Sequence, residues 1–319
     1  MASIKDVAKA AGVSISTVSY ALNDDPRIPE ITASRIRSIA SDIGYFPSAA
    51  ARNLKKRSTN TILVAISDFG GPVYHELLDG IHRKLMSEGY TMIVSTGVSS
   101  ANLLKERSAD AAIISDIHLS SESLLRTAAH FGPIIVLDRD LVGEAIHPLT
   151  LDNKTAMQAI TRHMIHSGAR KLAYVNGVFE TYDNRTRREG FLAALEEANL
   201  TSFAEYQGAF TKPSGEQVAR NLLALGGERP DGIVCANDEM AIGVIDVFKA
   251  AGLRIPGDVK VSGFDDIELA SYVQPRLTTV KIDHRNWGKL AAAAALDLIR
   301  GEAVKVAKVH GAVQIRESV

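Results

Sequence analysis

The run Ile4-Lys5-Asp6-Val7-Ala8-Lys9-Ala10-Ala11-Gly12-Val13-Ser14 decides the fold of the first part of the chain. Ser3 and Asp6 form a candidate capping box at the start of a helix whose apolar residues share one face. Gly12 suits the end of that helix, since glycine adopts a left-handed conformation easily. Ser14 suits the cap of a second short helix. Two helices at this spacing predict a helix-turn-helix.

A third helix is predicted over residues 31–43, ending at Gly44, with Ile36, Ile39, Ala40 and Ile43 facing inward. Residues 1–60 carry nine Lys/Arg against five Asp/Glu, whereas the remainder carries 27 against 32. We call residues 1–60 the head and the remainder the body. A basic head on an acidic body favours contact between the head and a polyanion. From spacing alone, a three-helix cap without a nucleic-acid role stays open.

The stretch after Pro47 combines strong helix formers with little apolar surface. A helix this short is marginal in water, because nucleation is costly, so we expect it to form only when something holds it. Arg52 and Lys55 suit DNA phosphate as that partner, and Leu54 is an exposed leucine at the end of a small basic helix. By composition, a solvated linker is the alternative.

The remaining 259 residues alternate between strand-like and helix-like segments, which predicts βαβ units and parallel sheets. The predicted strands cover 61–66, 91–95, 111–114, 133–137, 171–175, 232–236 and 259–263. The pattern restarts near Asp152, so we expect two doubly wound lobes with a ligand cleft at the carboxyl ends of their strands. A length of 319 residues and a hydrophobic share of 46% fit a globular protein of two or three domains.

Other protein classes find little support in the sequence. The single cysteine, Cys235, fits a reducing cytoplasm, and we expect neither a signal peptide nor a membrane span. No phosphate-binding loop, dinucleotide fingerprint or serine elbow occurs, so we expect no enzyme, no catalytic residues and no cofactor. His163 and His166 are spaced for a metal but have no third ligand nearby. A two-lobed transport receptor is a rival that the head and the missing signal peptide disfavour.

Polar side chains follow several of the predicted strands. They include Asp138, Asn237 and Asp265, while Arg187 precedes a helix and Phe210 offers an aromatic face. Together they supply acceptors, an amide, a forked donor and a ring, which a sugar needs and a nucleobase could also use. We expect the neighbouring Asp238 to cap the following helix.

The head motif, continued by Thr17-Val18-Ser19-Tyr20-Ala21-Leu22-Asn23, Gly44-Tyr45-Phe46-Pro47 and Ala51-Arg52-Asn53-Leu54, closely resembles the LacI family of repressors (LacI/GalR type). The resemblance covers the whole chain. It implies an all-α helix-turn-helix domain over 1–46, a hinge helix and linker over 47–60, and a periplasmic-binding-protein-like α/β body over 61–319. It also implies that lobe one takes about 61–149 and 281–302, and lobe two about 150–280 and 303–319.

The resemblance implies which residues meet DNA. Ile15, Ser16 and Tyr20 occupy base-reading positions, and Tyr20 stands where many members carry an arginine. The remaining DNA candidates are Thr17, Ser19 and Asn23 for phosphates, Arg52 and Lys55 on the hinge, and Leu54 as a wedge in the minor groove. Such wedges unstack a base step and bend the duplex.

The resemblance likewise places Arg187, Phe210, Asn237 and Asp265 at ligand-contacting positions, with Tyr74 and Asp138 in the first lobe. It implies a homodimer on a near-palindromic operator, whose affinity a small effector changes through lobe closure and the hinge helices. Release by a sugar and corepression by a purine are both open, with the sugar favoured. The segment between Thr96 and Ala109 is shorter than is usual in the family.

Overall fold

The structure, a computed structural model, describes residues 2–46, 58–178, 180–224, 226, 229–304 and 308–319. The chain divides into two units, Met1–Thr59 and Asn60–Val319. Most of the expected hinge helix, including Arg52, Leu54 and Lys55, lies outside the described residues.

The head consists of helices α1 (Ile4–Ala11), α2 (Ile15–Leu22) and α3 (Glu30–Asp42). The start and stop signals expected from the sequence are present. The Ser3 backbone N–H donates to Asp6 Oδ2 at 2.9 Å, the Thr17 N–H donates to Ser14 Oγ at 3.1 Å, and Gly12 has a φ of 68°. The helix-turn-helix is therefore fixed by local hydrogen bonds as well as by its core.

The core of the head is small and apolar. Val7, Val18 and Ile36 are almost fully buried where the three helices meet. Arg35 adds a tie between helices, because its Nη2 donates to the Ala11 carbonyl at 2.6 Å. The expectation that Ile43 faces inward is wrong. Ile43 lies beyond the last helical residue of α3 and no longer follows its buried face, so it is exposed.

The first lobe of the body has a five-stranded parallel sheet in the order β2-β1-β3-β4-β5. Its elements are β1 (Thr61–Ile66), α4 (Pro72–Ser87), β2 (Thr91–Thr96), α5 (Gly97–Lys105), β3 (Ala111–Ser115), α6 (Ser121–Phe131), β4 (Ile134–Val136) and β5 (Ile146–Pro148). The short segment after β2 holds α5, a helix of 9 residues. The edge strand β5 has only 3 residues, and the sequence pattern did not reveal it.

The second lobe has a four-stranded parallel sheet in the order β7-β6-β8-β9. Its elements are α7 (Asn153–His166), β6 (Leu172–Asn176), α8 (Tyr182–Glu197), β7 (Ala204–Gln207), α9 (Lys212–Ala224), β8 (Gly232–Cys235), α10 (Asp238–Ala250), β9 (Lys260–Ser262) and a 3₁₀ turn (Glu268–Ser271). The strand β7 and the helix α9 were not expected. The expectation that Arg187 precedes a helix is wrong. Helix α8 already starts at Tyr182, because Thr181 caps it through the Asn184 N–H, so Arg187 lies within the helix.

The chain then crosses back to the first lobe. Strand β10 (Thr279–Lys281) pairs antiparallel with β11 (Ala312–Gln314), and helix α11 (His284–Ile299) between them packs against α4. A Cβ placed at Gly288 would overlap the Leu77 carbonyl oxygen, so the two helix backbones touch. Trp287 adds a hydrogen bond from Nε1 to the Leu149 carbonyl at 2.8 Å.

Apolar strands fill the cores of both lobes. Every residue of β6 and β8 is buried, and the Tyr174 and Phe191 rings stack with their centroids 4.9 Å apart. In the described part of the chain, no helix has the length and apolar character needed to cross a bilayer. The two doubly wound parallel-sheet lobes expected from the sequence are confirmed.

Candidate functional site

A cavity of about 760 Å³ lies between the two lobes of the body. Its walls come from loops at the carboxyl ends of strands, including Ser67 after β1 and Ala209 after β7. This is the position at which open parallel sheets bind ligands, because the loops there converge. All six ligand candidates named from the sequence line the cavity: Tyr74, Asp138, Arg187, Phe210, Asn237 and Asp265.

Arg187 forms the floor of the cavity with only 5% of its surface exposed. Its guanidinium group donates to Asn153 Oδ1 at 2.9 Å, to the Ala236 carbonyl at 2.7 Å and to Asp265 Oδ1 at 3.4 Å. It also lies 3.9 Å from the centroid of the Phe264 ring. Since these partners fix the fork, Arg187 presents a preoriented group at the base of the cleft.

Asp265 is 6% exposed and has a φ of 109°, a backbone conformation that residues other than glycine rarely adopt. Its backbone N–H donates to the Val280 carbonyl at 2.9 Å, which ties it to β10. Its Oδ1 atom lies 3.7 Å from His284 Nε2. Strained backbone held in place by such contacts is typical of functional positions.

Asn237 has a structural duty besides lining the cavity. Its Oδ1 accepts from the Met240 N–H at 3.1 Å, so Asn237 caps α10, and its Nδ2 donates to the Phe210 carbonyl at 2.8 Å. The expectation that Asp238 is the cap is therefore wrong. Asp238 is fully buried and accepts hydrogen bonds from the Ile267 N–H and the Thr279 hydroxyl. Burial raises the pKa of Asp238 well above its ordinary value.

The remaining three candidates also have partners within the protein. The Tyr74 hydroxyl donates to the Ser115 carbonyl at 3.3 Å, and burial raises the pKa of Tyr74. Asp138 forms a bidentate pair with Arg139 at 2.8 and 2.9 Å. Phe210 lies flat against Gly177, where a side chain would overlap its ring. A glycine at position 177 is therefore required for the aromatic wall.

Sequence reasoning missed several cavity residues, most clearly His284. It is the first residue of α11, 3% exposed, and neither of its ring nitrogens has a hydrogen-bond partner among the described residues. Asp183 and Glu239 also line the cavity. No motif marks these three residues. His284 reaches the cleft only through the crossing of α11 to the first lobe.

On the head, α2 presents one face outward while Val18 and Ala21 bury the other. Ile15, Ser16 and Asn23 are exposed. Thr17, Ser19 and Tyr20 are half-buried. The outward face can therefore present base-reading positions at the start of the helix, as helix-turn-helix proteins require.

Two family models match the chain: "Bacterial regulatory proteins, lacI family" at residues 3–48 and "Periplasmic binding protein-like domain" at residues 161–319. The "HTH-type transcriptional repressor PurR" of Vibrio vulnificus (strain CMCP6) is 31% identical over 332 aligned residues, covering 100% of this chain and 99% of that protein. This chain belongs to the LacI family.

Solved structures agree with that membership. A LacI-family "sugar-binding transcriptional regulator" from Enterococcus faecalis is 33% identical, covers 82% of this chain and 98% of its own, and has a TM-score of 0.76. The lac repressor dimer bound to operator and the anti-inducer ONPF is 25% identical, with coverage of 99% and 98% and a TM-score of 0.87. The present chain is therefore a DNA-binding transcriptional regulator with a ligand-binding body.

Proposed function

We propose that this LacI-family regulator binds a near-palindromic operator as a homodimer and leaves it when a sugar or sugar derivative fills the cleft. The observation that carries the ligand class is the floor of the cavity. There, a buried guanidinium and a buried carboxylate, Arg187 and Asp265, lie beside the aromatic face of Phe210. Paired hydroxyls match the charged groups, and the apolar C–H face of a sugar ring matches Phe210.

On the DNA side, we assign base reading to Ile15, Ser16 and Tyr20. Phosphate contacts fall to Thr17 and Ser19, which are half-buried on α2, and to the exposed Asn23 at its C-cap. Tyr20 lies under the Arg27 guanidinium, 4.0 Å from the ring centroid, which holds the ring in place. Because no arginine occupies position 20, a guanine-reading fork is absent there.

The hinge residues Arg52 and Lys55 complete the phosphate contacts in this proposal, and Leu54 enters the minor groove. Ligand in the cleft changes the relation of the two lobes, and thereby the pairing of hinge helices in the dimer. The regulator acts in the cytoplasm and performs no catalysis. Leu54→Ala is expected to reduce operator bending and affinity without changing the melting temperature of the protein.

A purine corepressor is the second candidate, because a 31% identical relative is named PurR and Phe210 could stack on a base. The two candidates predict opposite effects of the ligand on operator affinity. Operator selected from random duplexes should be a near-palindrome, and its binding is measured by fluorescence anisotropy with added sugars or purines. A sugar that weakens binding supports release. A purine that tightens binding supports corepression, and failure to recover any symmetric site refutes the operator proposal.

A further inference from the structure

The cavity is rich in acidic groups. Seven carboxyl side chains line it: Asp68, Asp138, Asp140, Glu180, Asp183, Glu239 and Asp265. Three guanidinium groups do so, from Arg139, Arg185 and Arg187, and no lysine is among the described lining residues. The balance of formal charge, with histidine neutral, is therefore negative by four. A ligand that enters the cleft meets a negative potential.

The guanidinium groups are already committed to the protein. Arg187 donates to three acceptors on the floor, as described above. Arg139 is held by Asp138, and its Nη1 and Nη2 donate to the carbonyls of Leu119 and Asp116 at 2.6 and 2.7 Å. The third, Arg185, is an exposed side chain whose Nε lies 4.0 Å from Glu189 Oε1. An anionic ligand would therefore find no uncommitted cation inside the cavity.

Two of the acids line the cavity from opposite lobes, and neither has a counter-ion among the described residues. Asp68 follows β1 in the first lobe, and Glu239 belongs to α10 in the second. Neither forms an ion pair with any residue that the structure describes. Glu239 Oε2 would lie 3.9 Å from a Cβ built at Gly71, close to the Asp68 loop. Partial burial, together with the nearby Asp265 and Asp68, raises the pKa of Glu239, as expected for a carboxylate beside other acids and without a counter-ion.

A second feature indicates that the cavity leaves polar groups for a ligand. The buried His284 ring lies against the same space with both nitrogens unpartnered among the described residues. Buried polar atoms are normally hydrogen-bonded, so such groups call for a partner. No set of three His, Cys, Asp or Glu residues in the described ranges is arranged to hold a metal ion. The missing positive charge is therefore more naturally supplied by an organic cation.

We infer that the effector is a polyhydroxyl compound carrying a protonated amine, and that this amine binds between Asp68 and Glu239. The inference rests on the proposed sugar-type effector and narrows it to amino sugars and related compounds. An ammonium group donates up to three hydrogen bonds and suits two carboxylates at once. It also links the lobes, because one carboxylate belongs to each. Uronates and phosphorylated sugars are disfavoured by the same charges.

The test compares sugars that differ in one group. The full-length protein is titrated by calorimetry at neutral pH with D-glucose, D-glucosamine and D-glucuronate, and with D-galactose, D-galactosamine and D-galacturonate. In the series that binds, the amine is expected to bind about 10-fold or more tightly than the neutral sugar, the range of a charge-assisted hydrogen bond. The uronate is expected to bind more weakly than the neutral sugar.

Two variants separate charge recognition from general damage. Glu239→Gln should reduce the affinity for the amine about 10-fold and leave that for the neutral sugar unchanged. Glu122→Gln removes an exposed carboxylate on α6, outside the cavity, and should change neither affinity.

Three results would overturn the inference. The first is a neutral sugar or uronate that binds as tightly as the amine, which leaves the sugar-type effector intact. The second is an equal loss for amine and neutral sugar in Glu239→Gln. The third is the absence of detectable binding by all six sugars, which also contradicts the proposed sugar-type effector.

Discussion

The substitution Asp265→Asn tests whether the floor of the cleft is needed for the fold as well as for the ligand. From the sequence alone, Asp265 is expected to serve the ligand only. The structure gives it a second duty, because it is the one carboxylate paired with the Arg187 guanidinium among the described residues. Both side chains are more than nine-tenths buried. Removing the charge of Asp265 leaves Arg187 uncompensated.

The size of the effect follows from the 3.4 Å separation of Arg187 Nη2 and Asp265 Oδ1. At an effective dielectric constant of about 20, two unit charges at that distance attract by about 5 kcal/mol. Removing one partner of a buried pair typically costs about 3–5 kcal/mol. Asparagine keeps an acceptor oxygen and the open cleft admits water, so we expect a loss of about 2–3 kcal/mol. For a body of this size, that is a fall in Tm of roughly 4–12 °C.

The measurement is thermal unfolding of the ligand-free protein by calorimetry or circular dichroism. Asp258→Asn is the matched control, because Asp258 pairs with Arg254 at 2.5 Å on the exposed surface, where ion pairs contribute little. If Asp265→Asn melts like the parent protein, water in the cleft compensates Arg187, and the pair does not stabilise the fold. A fall equal to that of the Asp258→Asn control would lead to the same conclusion.

Three further substitutions test single contacts. Asn237→Ala removes the cap of α10 and should cost about 1–2 kcal/mol in chemical unfolding, whereas Asn237→Asp, which keeps the capping oxygen, should cost less; equal losses would contradict the capping role. His284→Phe should leave the unfolding midpoint unchanged or raise it, because it deletes two unpartnered buried nitrogens; a clear fall would show that the ring is needed for the fold. Gly288→Ala should cost about 1–3 kcal/mol, since the new methyl group meets the Leu77 carbonyl; an unchanged midpoint would mean that α4 and α11 separate easily.

The head could be predicted from the sequence almost residue by residue, because its signals are local. The bonds of Ser3 and Ser14 span three residues, and the turn at Gly12 depends on that residue's own φ. The prediction that Ile43 faces inward failed because the helix had already ended. Helical periodicity is informative only while the helix continues, and α3 stops one residue earlier.

The cleft could be predicted only in part. Polar residues directly after apolar strands, such as Asp138 and Asp265, were found because parallel strands bring their carboxyl ends together. The assignment of the cap to Asp238 and not to Asn237 failed because both residues suit a cap by composition. Only the distance to the Met240 N–H decides between them. His284 was missed, since no local signal marks it and its place depends on a crossing between lobes that only the family resemblance implied.

That crossing also limits where the body can change shape when a ligand binds. Helices α4 and α11 touch through Gly80 and Gly288, where the backbone of each lies against the other. Such close packing does not slide without strain, so we expect the two helices to move as one body. Asp265, by contrast, follows β9 of the second lobe, and its backbone forms a parallel β-bridge with that of Lys281 at the end of β10. Only two residues separate Lys281 from His284, the first residue of α11. A ligand that contacts both Asp265 and His284 therefore spans the point at which the lobes must bend, and its binding energy acts directly on the angle between them.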